Sequence, residues 1–158
     1  MTRSCRRAAA RGLAVPLTLA LGVGACVNDD IRLYEVELHG AIAVADGFPS
    51  GGVLHVELHH ASTGSGGLGY PLREIAEIEL DNIFEFREPF LVPMDEGEGL
   101  VVYAWLDADG DGTLCAPDGA SEPAGLIELT DYPAHAIEFD LVLTEACAGA
   151  ESLYPFPQ

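Results

Sequence analysis

The sequence predicts an all-β fold, a sandwich of about seven short antiparallel strands. Three observations predict it. Apolar and polar residues alternate with period two in one segment after another from residue 33 onward. Clusters of Gly, Pro, Asp and Asn separate those segments. The same stretch carries no long run of helical period.

In Tyr34-Glu35-Val36-Glu37-Leu38-His39 the alternation is strict. It recurs in Leu54 to His59, Ala76 to Leu80, Ile83 to Phe86 and Ile137 to Leu143, with Gly125 to Leu129 as a shorter segment. Leu100 to Leu106 is apolar on both faces, which suits a central strand covered on both sides. Turns are expected at Asp46-Gly47 with Pro49, in the Gly-rich Ser62 to Gly69, at Asp81-Asn82, over Asp95 to Gly99 and from Asp131 to Pro133. Arg73 to Ile78 can also be read as a single helical turn. Short strands with one apolar face each close most economically as two packed sheets. The sandwich domain is assigned to residues 33–147, followed by a C-terminal tail, residues 148–158.

Residues 1–25 read as a secretory signal peptide: a basic start with Arg3, Arg6, Arg7 and Arg11, then an apolar stretch from Gly12 to Val23. That stretch is shorter than the ~20 residues needed to span a bilayer. Arg6-Arg7 lacks the rest of a twin-arginine export motif. Val23-Gly24-Ala25-Cys26 resembles the bacterial lipobox, which implies that Cys26 carries a diacylglyceryl group and becomes the first residue of the mature chain. Residues 26–32 are then a lipidated cysteine and short tether. Five extended residues, Val27 to Ile31, reach at most ~18 Å, so the domain is expected close to the membrane. Two or three acyl chains anchor stably where one does so marginally. Val27, rather than Asp, follows the cysteine, and by the sorting rule of such lipoproteins this implies the outer membrane.

Without the leader the chain keeps only Arg32, Arg73 and Arg87 against all 26 acidic residues, a net charge of −23. Such a surface repels phosphate backbones and excludes a nucleic-acid partner. An apolar content of 49% argues against disorder.

Gly40-Ala41-Ile42-Ala43-Val44-Ala45-Asp46-Gly47-Phe48-Pro49, followed by Gly51-Gly52-Val53-Leu54-His55-Val56, resembles the opening of transthyretin-like (prealbumin-like) and carboxypeptidase-regulatory-like domains. Those open with Gly-x-Val, a Gly-x-Pro turn and Gly-x-x-Val on the next strand; Ile42 and Leu54 stand at the valine positions. The resemblance covers residues 33–107 and implies a second hairpin, Ile83-Phe84-Glu85-Phe86 with Leu100-Val101-Val102-Tyr103. The hydroxyisourate-hydrolysing members end in Tyr-Arg-Gly-Ser. This chain ends in Tyr154-Pro155-Phe156-Pro157-Gln158, so that activity does not carry over.

The sharpest local motif runs from Asp107 to Asp118. Asp107, Asp109, Asp111 and Asp118 occupy positions one, three, five and twelve of an EF-hand-type loop, with Gly112 at six and Thr113 at the carbonyl-donating seventh. Calcium requires six to eight hard oxygens, and this spacing wraps them about one point. A strand rather than a helix leads in, and Asp118 is shorter than the usual glutamate, so Glu122 is expected to supply further oxygens. The bland alternative is an acidic turn. His55, Glu57 and His59 share one face of a strand, with Val56 and Leu58 pointing inward. They form an alternative zinc or copper site, or simply a solvated polar face. Glu35, Glu37 and His39 make a similar outward row.

Cys115 and Cys147 remain in an oxidising compartment once Cys5 leaves and Cys26 is lipidated. If each connection reverses direction, the strands preceding them run to the same pole, so a disulfide is expected. Ser65 in Gly64-Ser65-Gly66 is no nucleophile elbow, and no phosphate-binding glycine loop occurs. The expectation is a non-enzymatic, lipid-anchored binding or scaffold module with a calcium loop. Its partner would be an envelope protein or glycan. A periplasmic zinc or copper carrier is the alternative, and an enzyme a more distant one.

Overall fold

The computed structural model describes residues 32–64, 67–94, 98–117 and 119–154. The signal peptide, Cys26 and Asp118 lie outside these residues. The elements in order are β1 (Leu33–Val44), β2 (Val53–Gly64), β3 (Gly67–Asp81), β4 (Glu85–Pro93), β5 (Glu98–Asp107), β6 (Pro123–Glu128), β7 (Ala136–Leu143), the two-residue β8 (Glu145–Ala146) and a single helical turn, α1 (Ala150–Leu153). Two sheets pack as a sandwich, one of order β4-β1-β7 and one of order β3-β2-β5-β6-β8.

Alternation builds the core as the sequence predicts. β7 alternates buried and exposed at every position. Val36, Leu38 and Ile42 from β1 meet Leu54, Val56, Leu58, Val102, Ala104 and Leu106 from the facing sheet. Gly40 interrupts the β1 series because the Phe86 and Phe139 rings fill the space above it; a Cβ would lie 2.5 Å from Phe86 and 2.7 Å from Phe139.

Four features differ from the sequence reading. The Gly-rich Ser62–Gly69 stretch continues the β2–β3 ladder to Gly64↔Gly67, with a register shift between Ala61 and Ser62 that leaves Pro71 outside the pairing. A proline lacks the N–H for a ladder bond, and β3 is an edge strand, where this is tolerated. Arg73 to Ile78 is strand, not a helical turn. β4 and β5 lie in different sheets, so the expected second hairpin does not form. β1 and β7 pair in parallel, from Glu37↔Ala136 to Val44↔Leu143, while the other paired strands are antiparallel. The parallel pair follows from direction: β7 runs the same way as β1 and adds to its free edge after crossing from the other sheet.

The same alternation of direction gathers one pole. Val53 pairs with both Asp81 and Asp107, bringing the start of β2 to the ends of β3 and β5. Gly52 is confined there. Its φ is +147°, and a Cβ would clash with the Asp107 carbonyl oxygen. Asn82 closes the pole from the other side, its Oδ1 accepting from the Gly52 N–H at 3.1 Å.

The outer faces of the two sheets differ. That of β4-β1-β7 is polar, with Glu37, His39 and Arg87 on it. That of the larger sheet is covered near its centre. Tyr103, Trp105 and Ala124 pack against Leu114, Ala150 and Leu153, and Val101 and Ala61 against Tyr154. The 148–154 segment is thus a cover rather than a free tail, fixed by Tyr154 Oη donating to Glu128 at 2.7 Å and Tyr103 Oη donating to the Ala148 carbonyl at 3.0 Å. Among the described residues no helix is long and apolar enough to cross a membrane.

Candidate functional site

β5 delivers Asp107 to the gathered pole, and the chain then turns through Asp109, Gly110, Asp111 and Gly112 before reaching Cys115. Gly110 and Gly112 take φ of +77° and +73°, which glycine adopts without steric cost. The turn is stitched by side-chain acceptors. Asp107 accepts from the Gly110 N–H at 2.6 Å through one oxygen and from the Gly112 N–H at 2.9 Å through the other. Asp109 accepts from Asp111 and, across the loop, from the Ala120 N–H at 2.9 Å. Asp111 accepts from the Thr113 N–H at 2.7 Å.

Glu122 closes the loop from the far side. One of its oxygens accepts from the Ala108 N–H at 2.8 Å, the other from the Cys115 N–H at 2.7 Å, so a single carboxylate ties both limbs together. It is fully buried, and Asp107 is only 3% exposed. The Cys115–Cys147 disulfide predicted from strand direction is present, with Cα atoms 5.4 Å apart. It holds Glu122 in place: the Cys147 N–H donates to the Glu122 carbonyl at 2.9 Å.

Asp107, Asp109 and Glu122 each bring a carboxylate oxygen within 4.8 Å of the others. Burial pushes the Asp107 carboxyl up. The N–H groups of Gly112, Gly110 and Asp111, together with Glu122, outweigh this and hold it below its ordinary value. Of the loop residues singled out from sequence, three therefore converge. Asp111 and Thr113 stand exposed on the turn and outside that group.

The His55, Glu57 and His59 row does share one face of β2, as the period requires, but it is not a solvated face. His55 and His59 are 7% and 6% exposed. β2 pairs with β5, which sets His55 beside Trp105 and Glu57 beside Tyr103. His55 stacks on Trp105 with ring centroids 4.1 Å apart, and its Nδ1 lies 2.9 Å from a Glu77 oxygen. The structure groups His55 with Glu77 and Glu79 of β3 rather than with Glu57 and His59. Glu79 lies directly across the ladder from His55, and Glu77 is the next residue on that face of β3. His59 instead directs Nε2 to Glu57 at 2.8 Å.

Sequence reasoning missed Glu77, Glu79 and the aromatic cover. The signal for the cover was the apolar parity of Val101, Tyr103 and Trp105, which needs something to lie over it. Comparison with known proteins finds no family model, no curated protein and no solved structure that matches this chain.

Proposed function

We propose that this chain is a lipid-anchored β-sandwich of the bacterial cell envelope, a non-catalytic binding or scaffold module whose Asp107–Glu122 loop takes calcium. The observation that carries the calcium reading is the convergence of Asp107, Asp109 and Glu122, two of them buried. Carboxylates crowded together out of water repel one another unless a proton or a cation is shared between them. An ionised carboxylate offers about four lone-pair sites, so the backbone donors leave acceptor capacity unused. Hard oxygen donors without sulfur or imidazole favour calcium over zinc or copper. Asp107, Asp109 and Glu122 would hold the ion, and its charge would fix the pole at which β2, β3 and β5 end.

The anchoring part of the proposal rests on the leader and on Val23-Gly24-Ala25-Cys26. The loop lies at the pole opposite the start of β1, and the module's partner would be an envelope protein or glycan. A transthyretin-like domain remains part of the proposal through the resemblance of the Gly40–Val56 segment. A second reading, a zinc or copper carrier, draws on the grouping of His55 with Glu77 and Glu79.

Two measurements test these statements. Equilibrium dialysis against millimolar calcium should show calcium held by the chain; zinc or copper retained at one equivalent would favour the histidine site instead. Labelling cells with a fatty-acid probe should mark the chain, and Cys26→Ser should abolish both label and membrane retention. Label that survives the substitution would remove the lipobox from the account.

A further inference from the structure

Two groups of converging donors among the described residues differ in kind. The loop group of Asp107, Asp109 and Glu122 offers oxygen alone, whereas the second, on the outer face of the larger sheet, joins the His55 imidazole to Glu77 and Glu79. Oxygen alone suits a hard cation such as calcium; an imidazole among carboxylates suits zinc.

Register builds the second group. In one row across the sheet, Glu79 of β3, His55 of β2 and Trp105 of β5 stand side by side. The imidazole therefore has an acid on one flank and an indole on the other. The two rings stack with centroids 4.1 Å apart and an interplanar angle of 7°, and His55 is 7% exposed. This ligand is thus held in place before an ion arrives. Glu77 and Glu79 are exposed, so the group opens to solvent on its carboxylate side.

The spacing is close to what zinc needs. Bonds of about 2.0–2.2 Å set tetrahedral donors roughly 3.4 Å apart. His55 Nδ1 stands 2.9 Å from a Glu77 oxygen, and one donor atom from each of the three residues lies within 4.8 Å of the others. Rotation of two exposed glutamates covers the difference. Zinc on Nδ1 leaves the ring proton on Nε2, so the imidazole binds as the neutral ligand. Charge acts in the same direction. Glu57 faces Glu77 across the ladder, and like charges directly opposite are destabilising. A cation here relieves that repulsion, and the indole face stabilises the positive charge the ion lends the imidazole.

We propose that His55, Glu77 and Glu79 bind an exchangeable zinc ion that ties the edge strand β3 to β2, with a fourth coordination position open to solvent. Three protein ligands and one open position make an accessible rather than a closed zinc site. The proposal rests on the grouping behind the carrier reading but needs no carrier. Loss of zinc on dialysis ends the carrier reading alone, whereas failure to bind added zinc ends this one. The site is separate from the acidic loop and stands whether or not that loop takes calcium.

Trp105 is the protein's one tryptophan, so a paramagnetic ion on the stacked imidazole quenches its emission directly. The full-length chain, in millimolar calcium and at matched ionic strength, is titrated with nickel, and zinc or magnesium is then added. Nickel should quench saturably at one equivalent; zinc should restore the emission and magnesium should not. Glu79→Gln, at an exposed position, should weaken nickel and zinc at least about tenfold, the loss seen even for groups that only orient a ligand. Glu57→Gln removes the same charge from the same face and should cost several-fold less. His55→Gln should abolish the response. Should that variant fail to fold, the two glutamate variants still decide. An absent or unsaturable quench, restoration by magnesium as readily as by zinc, unchanged affinity in Glu79→Gln, or equal losses in Glu79→Gln and Glu57→Gln would each overturn the proposal.

Discussion

Two acidic clusters in this protein neutralise their charge by different means. On the outer face of the three-stranded sheet, Glu37 accepts from Arg87 and lies 2.6 Å from His39 Nε2. At the loop pole, Asp107 and Glu122 are buried and accept from backbone N–H groups. The first cluster is complete in itself: a carboxylate meets a guanidinium in solvent, where such pairs contribute little to stability. The second gathers negative charge out of water, where backbone dipoles and the contact between Asp107 and Glu122 offset it. Charge of one sign, held by dipoles and withdrawn from solvent, is the arrangement that an incoming cation can complete. The difference teaches that the number of acids in a motif says less than who answers them.

The largest test of the contrast is the covalent one. Cys115→Ser opens a loop spanning a sequence separation of 32 residues, which costs roughly 3–4 kcal/mol in the entropy model. It also loosens the Cys147 N–H that holds the Glu122 backbone. Urea denaturation should record the loss, and Cys147 should become alkylatable without reductant. Nothing done to Glu37 or Arg87 should approach this effect.

Glu122→Gln keeps the shape and removes the charge. A carboxamide presents N–H where Glu122 now accepts from Ala108 or Cys115, so a donor faces a donor. The expected cost is about 1–3 kcal/mol by chemical denaturation. If the loop acids are merely tolerated, relieving their repulsion should instead stabilise the chain, which would break the contrast.

Acid titration separates the two clusters by exposure. The Glu37 carboxyl is lowered from 4.5 to about 2, first by the Arg87 hydrogen bond and then by that of His39. A depressed acid contributes stability above its unfolded value and loses it as pH falls through its folded value. The Glu37 contribution should therefore fade between about pH 4.5 and 2. Arg87→Ala should shift that acid limb to higher pH, and added salt should erase the difference, because the pair is exposed. Asp107, also lowered, should lose its contribution in the same direction but resist salt. At neutral pH, Arg87→Ala should leave the thermal melt almost unchanged, the smallest effect of the series.

Much of this architecture was legible from period and parity. Strict alternation locates β1, β2 and β7, and alternating strand direction alone brings Cys115 and Cys147 to one pole. Glu122 was legible as a supplementary loop acid because Asp118 is short. The parallel pairing of β7 with β1 was not, since period two says nothing about which edge a strand joins. The Ser62–Gly69 stretch read as a turn because glycine carries no side chain to mark the alternation of a strand. The 148–154 cover has too few residues for a period, and its role shows only through the apolar outer positions of β5. The histidine row failed for the same reason: the face of a strand follows from alternation, whereas what lies over that face depends on residues nearly a hundred positions away.

The calcium dependence of the thermal melt tests the central claim most directly. Native chain is melted in millimolar calcium and in chelator at matched ionic strength, so that general screening cannot account for a difference. An ion that binds only the folded state raises the melting temperature by mass action. A dissociation constant on the order of 10⁻⁴–10⁻³ M is expected, as in extracellular modules. The account predicts a saturable upward shift that Asp107→Ala and Asp109→Ala each abolish and His55→Ala leaves intact. An unchanged melting temperature with no heat of calcium binding would reduce the Asp107–Glu122 loop to an acidic turn held by its own backbone.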